Sequence, residues 1–497
     1  MSYLGISAGF HDASISVIDN DGNIVYAGHS ERYSKQKNDH TLNEDIFSAG
    51  LGTSVITDIA YYEKPFLKQL RRLYQGSGFD FKQACTQQIL ANSIPQIAKK
   101  RIGTGYRTHS YPHHKSHAAA GFQTSPYQNA TVVVIDAIGE FDTITIWHAE
   151  YNSKGKAKYK KLWSQGYPHS MGLFYSAMTQ RVGLKPNEDE YILMGMAGYG
   201  VPDYKVFDEF VDNREQVRFK NNLHAGCLDW KTDLSDFNIA ASAQYTLEVL
   251  LHSVITRARK IGRSNNLVYM GGVALNCSAN EHLGAYYDNI WIMPNPGDAG
   301  SSLGAAALAY GKKINWQHPF LGTDIPGDYP VNEILDQLLT RKIVGVASGR
   351  AEFGPRALGN RSLLADPRGR EIKDQVNKIK RRQKFRPFAP IILEEHAHEY
   401  FDMPAFDSSP YMQFTYNCKY PFEYPAIVHH DKSSRVQTVG RNDHTGVREL
   451  LEKWYVLTDC PMLLNTSLNI RGEPMVNTEE DAKRWTEKYG IKVCTSY

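Results

Sequence analysis

Apolar and polar positions along this chain fall into two stretches that share one plan. Residues 3–32 read as an apolar strand, a Gly/His/Asp turn, an alternating strand from Ala13 to Ile18, a turn at Asp21-Gly22 and a third strand. Residues 131–163 repeat it with Val132 to Ile135, a turn from Asp136 to Asp142, a strand from Thr143 to Trp147 and a turn at Ser153-Lys154-Gly155. The repeat predicts an internal duplication. From Ala240 to Ile261 the apolar positions (Ala243, Leu247, Leu250, Leu251, Val254, Ile255) recur with helical period, and a strand over 266–270 follows. Two glycine turns come next, Gly271-Gly272 and Asn295 to Gly300, the second opening a small-residue helix from Ser301 to Tyr310. The stretch from Trp316 to Pro330 is rich in Pro and Gly with little periodicity, which predicts a boundary between a domain over 1–325 and a domain over 326–497.

Paired strand-turn-strand starts, each followed by helical stretches, predict an α/β protein. Its first domain is expected to be duplicated in the manner of the ribonuclease-H-like lobes of the actin and sugar-kinase (ASKHA) superfamily, with a nucleotide between them. The chain has 497 residues, 42% hydrophobic and 22% charged, which is ordinary for a globular protein of two or three domains. Its six cysteines are scattered without a Cys-x-x-Cys pair, arguing against a disulfide framework and a thiolate zinc site. Neither a leader pattern nor a spanning run of roughly 20 apolar residues occurs, so the expected location is cytoplasmic, away from the membrane. The net charge of +3 is too small to announce nucleic-acid binding by the chain as a whole, although Val376 to Arg386 carries six basic residues and no acid.

Candidate chemistry gathers at a few places. His113 and His117 are four apart, so on a helix both rings leave one face, and a strand ending at Asp136 could bring a carboxylate to the same point. Asp298, inside a glycine turn at a helix start, offers a second oxygen ligand; an N-cap is the other role for it. Gly271, Gly272 and Asn276, between a strand and a helix start, suit close approach of backbone to a nucleotide. In the second domain Gly349 to Arg361 packs three arginines among turn formers, Lys384 and Arg386 face one way on an extended segment, and Leu463 to Asn469 ends a strand in a polar turn. With Arg435, these forked guanidiniums and the Ser/Asn turn suit phosphate and carboxylate oxygens.

At these residues the chain resembles the O-carbamoyltransferases that act on nodulation factors, aminoglycosides and other natural products. The resemblance runs through Gly9 to Ser14, His113 to His117, Pro168 to Leu173, Asn187 to Gly200, Gly271 to Asn276, Asn295 to Gly304, Glu352 to Arg361, Arg386 to Pro390, Ser409 to Met412 and Asn465 to Pro474. It implies a TsaD-like carbamoyl-transfer domain followed by an α+β YrdC-like domain that makes carbamoyl adenylate from carbamoyl phosphate and ATP with Mg²⁺. It further implies metal ligands at His113, His117, Asp136 and Asp298, with Fe²⁺ or another divalent ion. The YrdC-like Lys-x-Arg and Ser-x-Asn pairs become Lys384, Arg386, Ser467 and Asn469, with Arg356, Arg435 and Glu190 as further nucleotide or donor contacts. His11, oriented by Asp12, is the expected proton acceptor in transfer. Where the family commonly reads Gly-Glu-Tyr-Lys, this chain has Asp189-Glu190-Tyr191-Ile192, a departure that bears on the acceptor.

The leading expectation is thus an ATP-dependent carbamoyltransferase whose acceptor is a hydroxyl on a sugar-containing or other small molecule. A homo-oligomer is compatible with it. One alternative is a modifier of 5-hydroxymethylcytosine in DNA, favoured by the clusters Lys68 to Arg72 and Lys99-Lys100-Arg101 and by 30 tyrosines. Another is an actin-like ATPase or sugar kinase, which leaves the second domain idle.

Overall fold

The computed structural model describes residues 1–404 and 407–497. They form two compact units: Met1–Ser34 with Asn38–His318, and Pro319–Tyr497 with Lys35–Lys37.

The first unit holds the duplication. One five-stranded sheet is ordered Ile24–His29, Ser14–Asp19, Ser2–Ser7, Ile56–Tyr61, Arg107–Ser110; the other is ordered Ala157–Gly166, Asp142–Tyr151, Asn129–Ile135, Asn266–Met270, Asn289–Trp291. In each, three consecutive strands form an antiparallel meander and the last two run parallel to its first strand. Both expected strand-turn-strand starts are the meanders, and both faces of their first strands are buried, which explains the unbroken apolar runs there.

Two helices fill the space between the sheets. Ser301–Tyr310 packs on Ser2–Ser7 and its neighbours, His113–Thr124 packs on Asn129–Ile135 and Asn266–Met270, and the helices pack on each other. Their approach is close enough that a Cβ at Gly304 would lie 1.8 Å from the Ser116 carbonyl oxygen. The small-residue run Ser-Ser-Leu-Gly-Ala-Ala-Ala therefore sets the helix spacing, and with it the distance from Asp298 to the histidines.

The expected long helix spans Asp236–Ile261, starting earlier than the apolar period because the Ser235 hydroxyl accepts from the Asn238 amide. After Gly271 the chain makes a 3₁₀ turn, Gly272–Leu275, and a short helix, Cys277–Asn280.

The second unit is built on a six-stranded sheet ordered Gln437–Val439, Ala389–Leu393, Met462–Ser467, Arg361–Ala365, Ile343–Ala347, Val493–Thr495. Alternate residues feed two cores. Val344, Val346, Leu364, Ile391 and Leu463 pack with the helices Val331–Arg341 and Thr445–Thr458, while Leu363, Ala365, Ile392, Met462 and Leu464 pack on the opposite face with Ile372, Val376 and Trp485. The strand Phe320–Ile325 pairs with Gly349–Glu352, so the units part before it, whereas the sequence places the division after it, at 325/326. No helix among the described residues is long and apolar enough to cross a membrane.

Candidate metal centre and a separate cation cluster

His113 opens the helix His113–Thr124 directly after Pro112, whose fixed φ suits a helix start, and His117 follows one turn later on the same face. Asp136 is the first residue beyond the strand Asn129–Ile135, and Asp298 begins a 3₁₀ turn ahead of Ser301–Tyr310. All four side chains are buried.

Their ligating atoms converge within 4.8 Å of one another, the one such His/Cys/Asp/Glu group among the described residues. His113 Nε2 lies 2.9 Å from Asp136 Oδ2 and 3.1 Å from His117 Nε2. Asp298 Oδ1 lies 3.3 Å from both imidazole Nε2 atoms yet outside hydrogen-bond geometry with either. Burial would lower both imidazoles, but the two carboxylates raise them, His113 well above its ordinary value. Burial would raise both carboxylates, yet Asp136, beside the two imidazoles, is held well below its ordinary value, and Asp298 is lowered against the Asp136 charge. Two imidazole nitrogens aimed at each other and at two buried carboxylates suit a cation better than protons, and a His₂Asp₂ set suits a divalent transition ion. The residues fit the metal.

The surroundings hold these ligands in place. Glu140 accepts from the His113 amide at 2.9 Å and from the Lys64 amide at 2.6 Å. The Gly272 amide donates to Asp136 Oδ1 at 3.2 Å. Gly271 has φ +96°, and a Cβ there would meet the Ile135 carbonyl oxygen at 2.1 Å, so only glycine brings this turn against the end of the Asp136 strand. His114, between the ligands, turns away to Thr145 Oγ1 at 3.0 Å, and burial pushes its pKa well down.

His11 stands on the open side. Its Nδ1 is 3.2 Å from Asp12 Oδ2 and its Nε2 is 3.7 Å from Asp298 Oδ2. Burial works against its charge, but the Asp12 hydrogen bond and the charges of Asp298 and Asp136 push its pKa up to about 9. It is then protonated at neutral pH, so accepting a proton requires a cation to compensate Asp136 and Asp298 first.

Two of the expected nucleotide contacts of this unit have protein partners in this structure. Asn276 exchanges amide hydrogen bonds with Gln244 and caps the Ala279 amide, and Glu190 accepts from Ser176 Oγ and the Asn187 amide, each at 2.6 Å.

In the second unit the Ser-x-Asn pair meets a different lysine from the one expected. Lys380 Nζ donates to the Ser467 carbonyl oxygen and to Asn469 O and Oδ1, both at 3.0 Å, and Ser467 Oγ donates to Asn469 Oδ1 at 2.6 Å. Burial lowers the Lys380 pKa well below its ordinary value, and the charges of Arg382 and Arg386 lower it further. Lys384 is exposed. It lies in a turn, where the Arg386 amide donates to the Gln383 carbonyl at 3.3 Å, and not on the expected extended segment. Arg382 is fixed by Asn377 Oδ1 at 2.6 Å and lies 4.0 Å from the centre of the Phe388 ring. Arg356 and Arg435 are half-buried.

Sequence reasoning passed over Glu140 and Lys380. Glu140 lay inside the recognised turn from Asp136 to Asp142, but nothing in its spacing marked it. Lys380 was counted in the basic run, and the second Lys-x-Arg it forms with Arg382 was the available signal.

Two family models match the chain, the carbamoyltransferase N-terminus over residues 2–307 and the carbamoyltransferase C-terminus over residues 335–495. An uncharacterized protein of Synechocystis sp. is 32% identical, with 97% of this chain and 93% of that protein covered. Nodulation protein NolNO of Sinorhizobium fredii is 29% identical over 95% of this chain and 76% of its own length. Nodulation protein NolO of Bradyrhizobium diazoefficiens is 31% identical over 74% of this chain and 75% of its own length.

Proposed function

The chain belongs to the carbamoyltransferase family, and on that premise we propose that its second unit makes carbamoyl adenylate from carbamoyl phosphate and ATP, and its first transfers the carbamoyl group to an acceptor hydroxyl. The observation that carries this reading is the convergence of His113, His117, Asp136 and Asp298 beside His11. The proposed architecture is TsaD-like for the duplicated unit and YrdC-like for the other.

The donor site is proposed around Lys380, Arg382 and Arg386 with Ser467 and Asn469, and with Arg356 and Arg435 as further contacts. Water cleaves the bond between the carbamoyl and phosphate groups of carbamoyl phosphate to give carbamate and phosphate. A carbamate oxygen then attacks the α-phosphorus of ATP, and the α–β phosphoanhydride bond breaks so that pyrophosphate leaves. Several negative charges meet in that step, and a cluster of guanidiniums around a buried lysine offsets them. Burial first and then the charges of Arg382 and Arg386 lower the Lys380 pKa, and arriving anions would raise it again.

In transfer, the acceptor oxygen attacks the carbamoyl carbon, the bond from that carbon to the AMP oxygen breaks, and AMP departs. His113, His117, Asp136 and Asp298 would hold Fe²⁺ or another divalent ion, which supplies Lewis-acid charge. With the charges of Asp136 and Asp298 compensated, His11, aligned by Asp12, would take the acceptor's proton. Gly272 and Glu140 keep Asp136 and the His113 helix in register.

The test is an incubation of the protein with Fe²⁺, Mg²⁺, ATP and labelled carbamoyl phosphate. AMP and pyrophosphate whose appearance depends on carbamoyl phosphate support the reading; ADP as the product would favour the kinase alternative.

A further inference from the structure

Glu140, which holds the His113 amide, also holds the Lys64 amide at the start of an insertion whose charge differs from that of the rest of the chain. Between the strands Ile56–Tyr61 and Arg107–Ser110 lie the short helices Pro65–Tyr74, Thr86–Ser93 and Gln96–Ile102. Residues 64–107 carry nine Lys and Arg against one acid, Asp80, a net of +8, while the whole chain is +3, so the remainder is −5. Of the nine, Lys68 and Arg107 pair with Glu63 and Asp58 outside the segment and Arg71 is buried, which leaves Lys64, Arg72, Lys82, Lys99, Lys100 and Arg101 to face a polyanion. Charge gathered on one segment in this way raises the local concentration of a polyanion while leaving the rest of the molecule unattractive to it.

The same segment displays aromatic rings. Phe66 is 54% exposed, Tyr74 73% and Phe81 82%. Phe66 and Phe79 meet edge to face at 5.9 Å, and Phe79 and Phe81 at 4.8 Å. Toward the metal centre, Lys68 Nζ sits 5.7 Å from the centre of the Phe10 ring, itself half exposed and adjacent to His11. On the other flank Tyr74 packs edge-on to Tyr167, which packs on His224.

Rings beside cations are the combination by which single strands are held, bases stacking on aromatic faces while phosphates pair with Lys and Arg. A neutral glycan could stack on the rings but would leave the net +8 without a use, and a cationic acceptor would be repelled. We propose that the segment Lys64–Arg107, with Phe10, binds single-stranded nucleic acid, and that the acceptor hydroxyl is carried on it. The binding claim stands by itself; only the acceptor claim rests on the transferase reading.

Fluorescence anisotropy of a labelled short oligodeoxynucleotide with the full chain tests the binding. Neutralisation of about four phosphates predicts affinity falling about 50-fold between roughly 50 and 200 mM salt. Phe81→Ala is expected to weaken binding about tenfold through lost stacking. Arg72→Glu with Lys82→Glu should flatten the salt dependence by about two phosphate contacts. Thermal melts confirm that each variant is folded. Absence of salt-sensitive binding, binding indifferent to these substitutions, equal affinity for heparin, or competition by a chitin oligosaccharide that is itself lost in Phe81→Ala would each overturn the proposal. Pyrophosphate release by the unaltered protein reads the transferase chemistry separately. Its absence with DNA binding intact would sink that reading alone, while release without label on a hydroxymethylated strand would overturn the acceptor claim alone.

Discussion

The two candidate sites are electrostatic opposites. The centre of the first unit gathers two carboxylates and two imidazoles and calls for a cation; the cluster of the second gathers Lys380, Arg382 and Arg386 and calls for an anion. They also differ in how they are built. Two of the four candidate ligands of the first lie one helical turn apart, and a third ends a strand, so local periodicity nearly assembles it. The second is made by a buried lysine reaching across to a turn 87 residues on. A site made of short-range spacing can be read from a sequence, and a site made of long-range contact can be misread by a few residues.

The comparison can be broken most forcefully at the first centre. His117→Ala removes a fully buried ligand, and we expect stoichiometric metal to be lost in elemental analysis and carbamoyl transfer to fall by at least about 100-fold, with pyrophosphate release by the second unit retained. Parallel loss of both activities would mean that the two sites are not separable as drawn.

At the second cluster, Lys380→Met keeps the volume and removes the cation. Pyrophosphate release is expected to fall by about 100-fold, against less than about threefold for Lys384→Met, because only Lys380 touches the Ser467/Asn469 turn. The reverse ranking in steady-state assays would restore the pair expected from sequence.

A smaller effect is expected at Glu140, which touches the backbone of His113 and not the side chains of the candidate metal centre. Glu140→Gln preserves the shape but weakens two amide hydrogen bonds, and metal affinity measured by competition with a chelator should drop about tenfold, toward the low end for outer partners of a metal site.

The smallest effect lies outside both sites. Arg448 makes a two-pronged contact with Glu395, and that hydrogen bond first of all brings the Glu395 pKa down to about 2. A carboxylate depressed in the folded state contributes stability that is complete above its unfolded value of about 4.3 and is lost as the pH falls toward about 2. The pair is partly exposed, so thermal melts between these pH values should show only a slight decline attributable to it, and Glu395→Gln should make that decline shallower.

Much of the fold was legible because its signals are local. The meanders 2–29 and 129–166, the strand Asn266–Met270 and the helix Ser301–Tyr310 follow from alternation, turn residues and period. The first start of Asp236–Ile261 was missed because a cap, not an apolar residue, sets it. The contact-based division falls before the strand Phe320–Ile325 and the sequence-based one after it, because the strand's partner, Gly349–Glu352, lies beyond any local window. Likewise the alternation of Lys384 and Arg386 predicts an extended segment where the chain turns, a local hydrogen bond that alternation does not register.

By itself the sequence determined the duplicated strand pattern, the helical spacing of His113 and His117, the carboxylates at a strand end and a helix start, and the family. These are properties of covalent neighbours, and backbone periodicity translates them directly into faces and ends. Only the tertiary structure decided that the four ligands meet, that Glu140 and Gly272 hold them, and that Lys380 is the lysine in the Ser467/Asn469 turn. Those outcomes depend on how closely helices and strands distant in sequence approach, and that distance is set by packing volumes such as the missing side chain at Gly304.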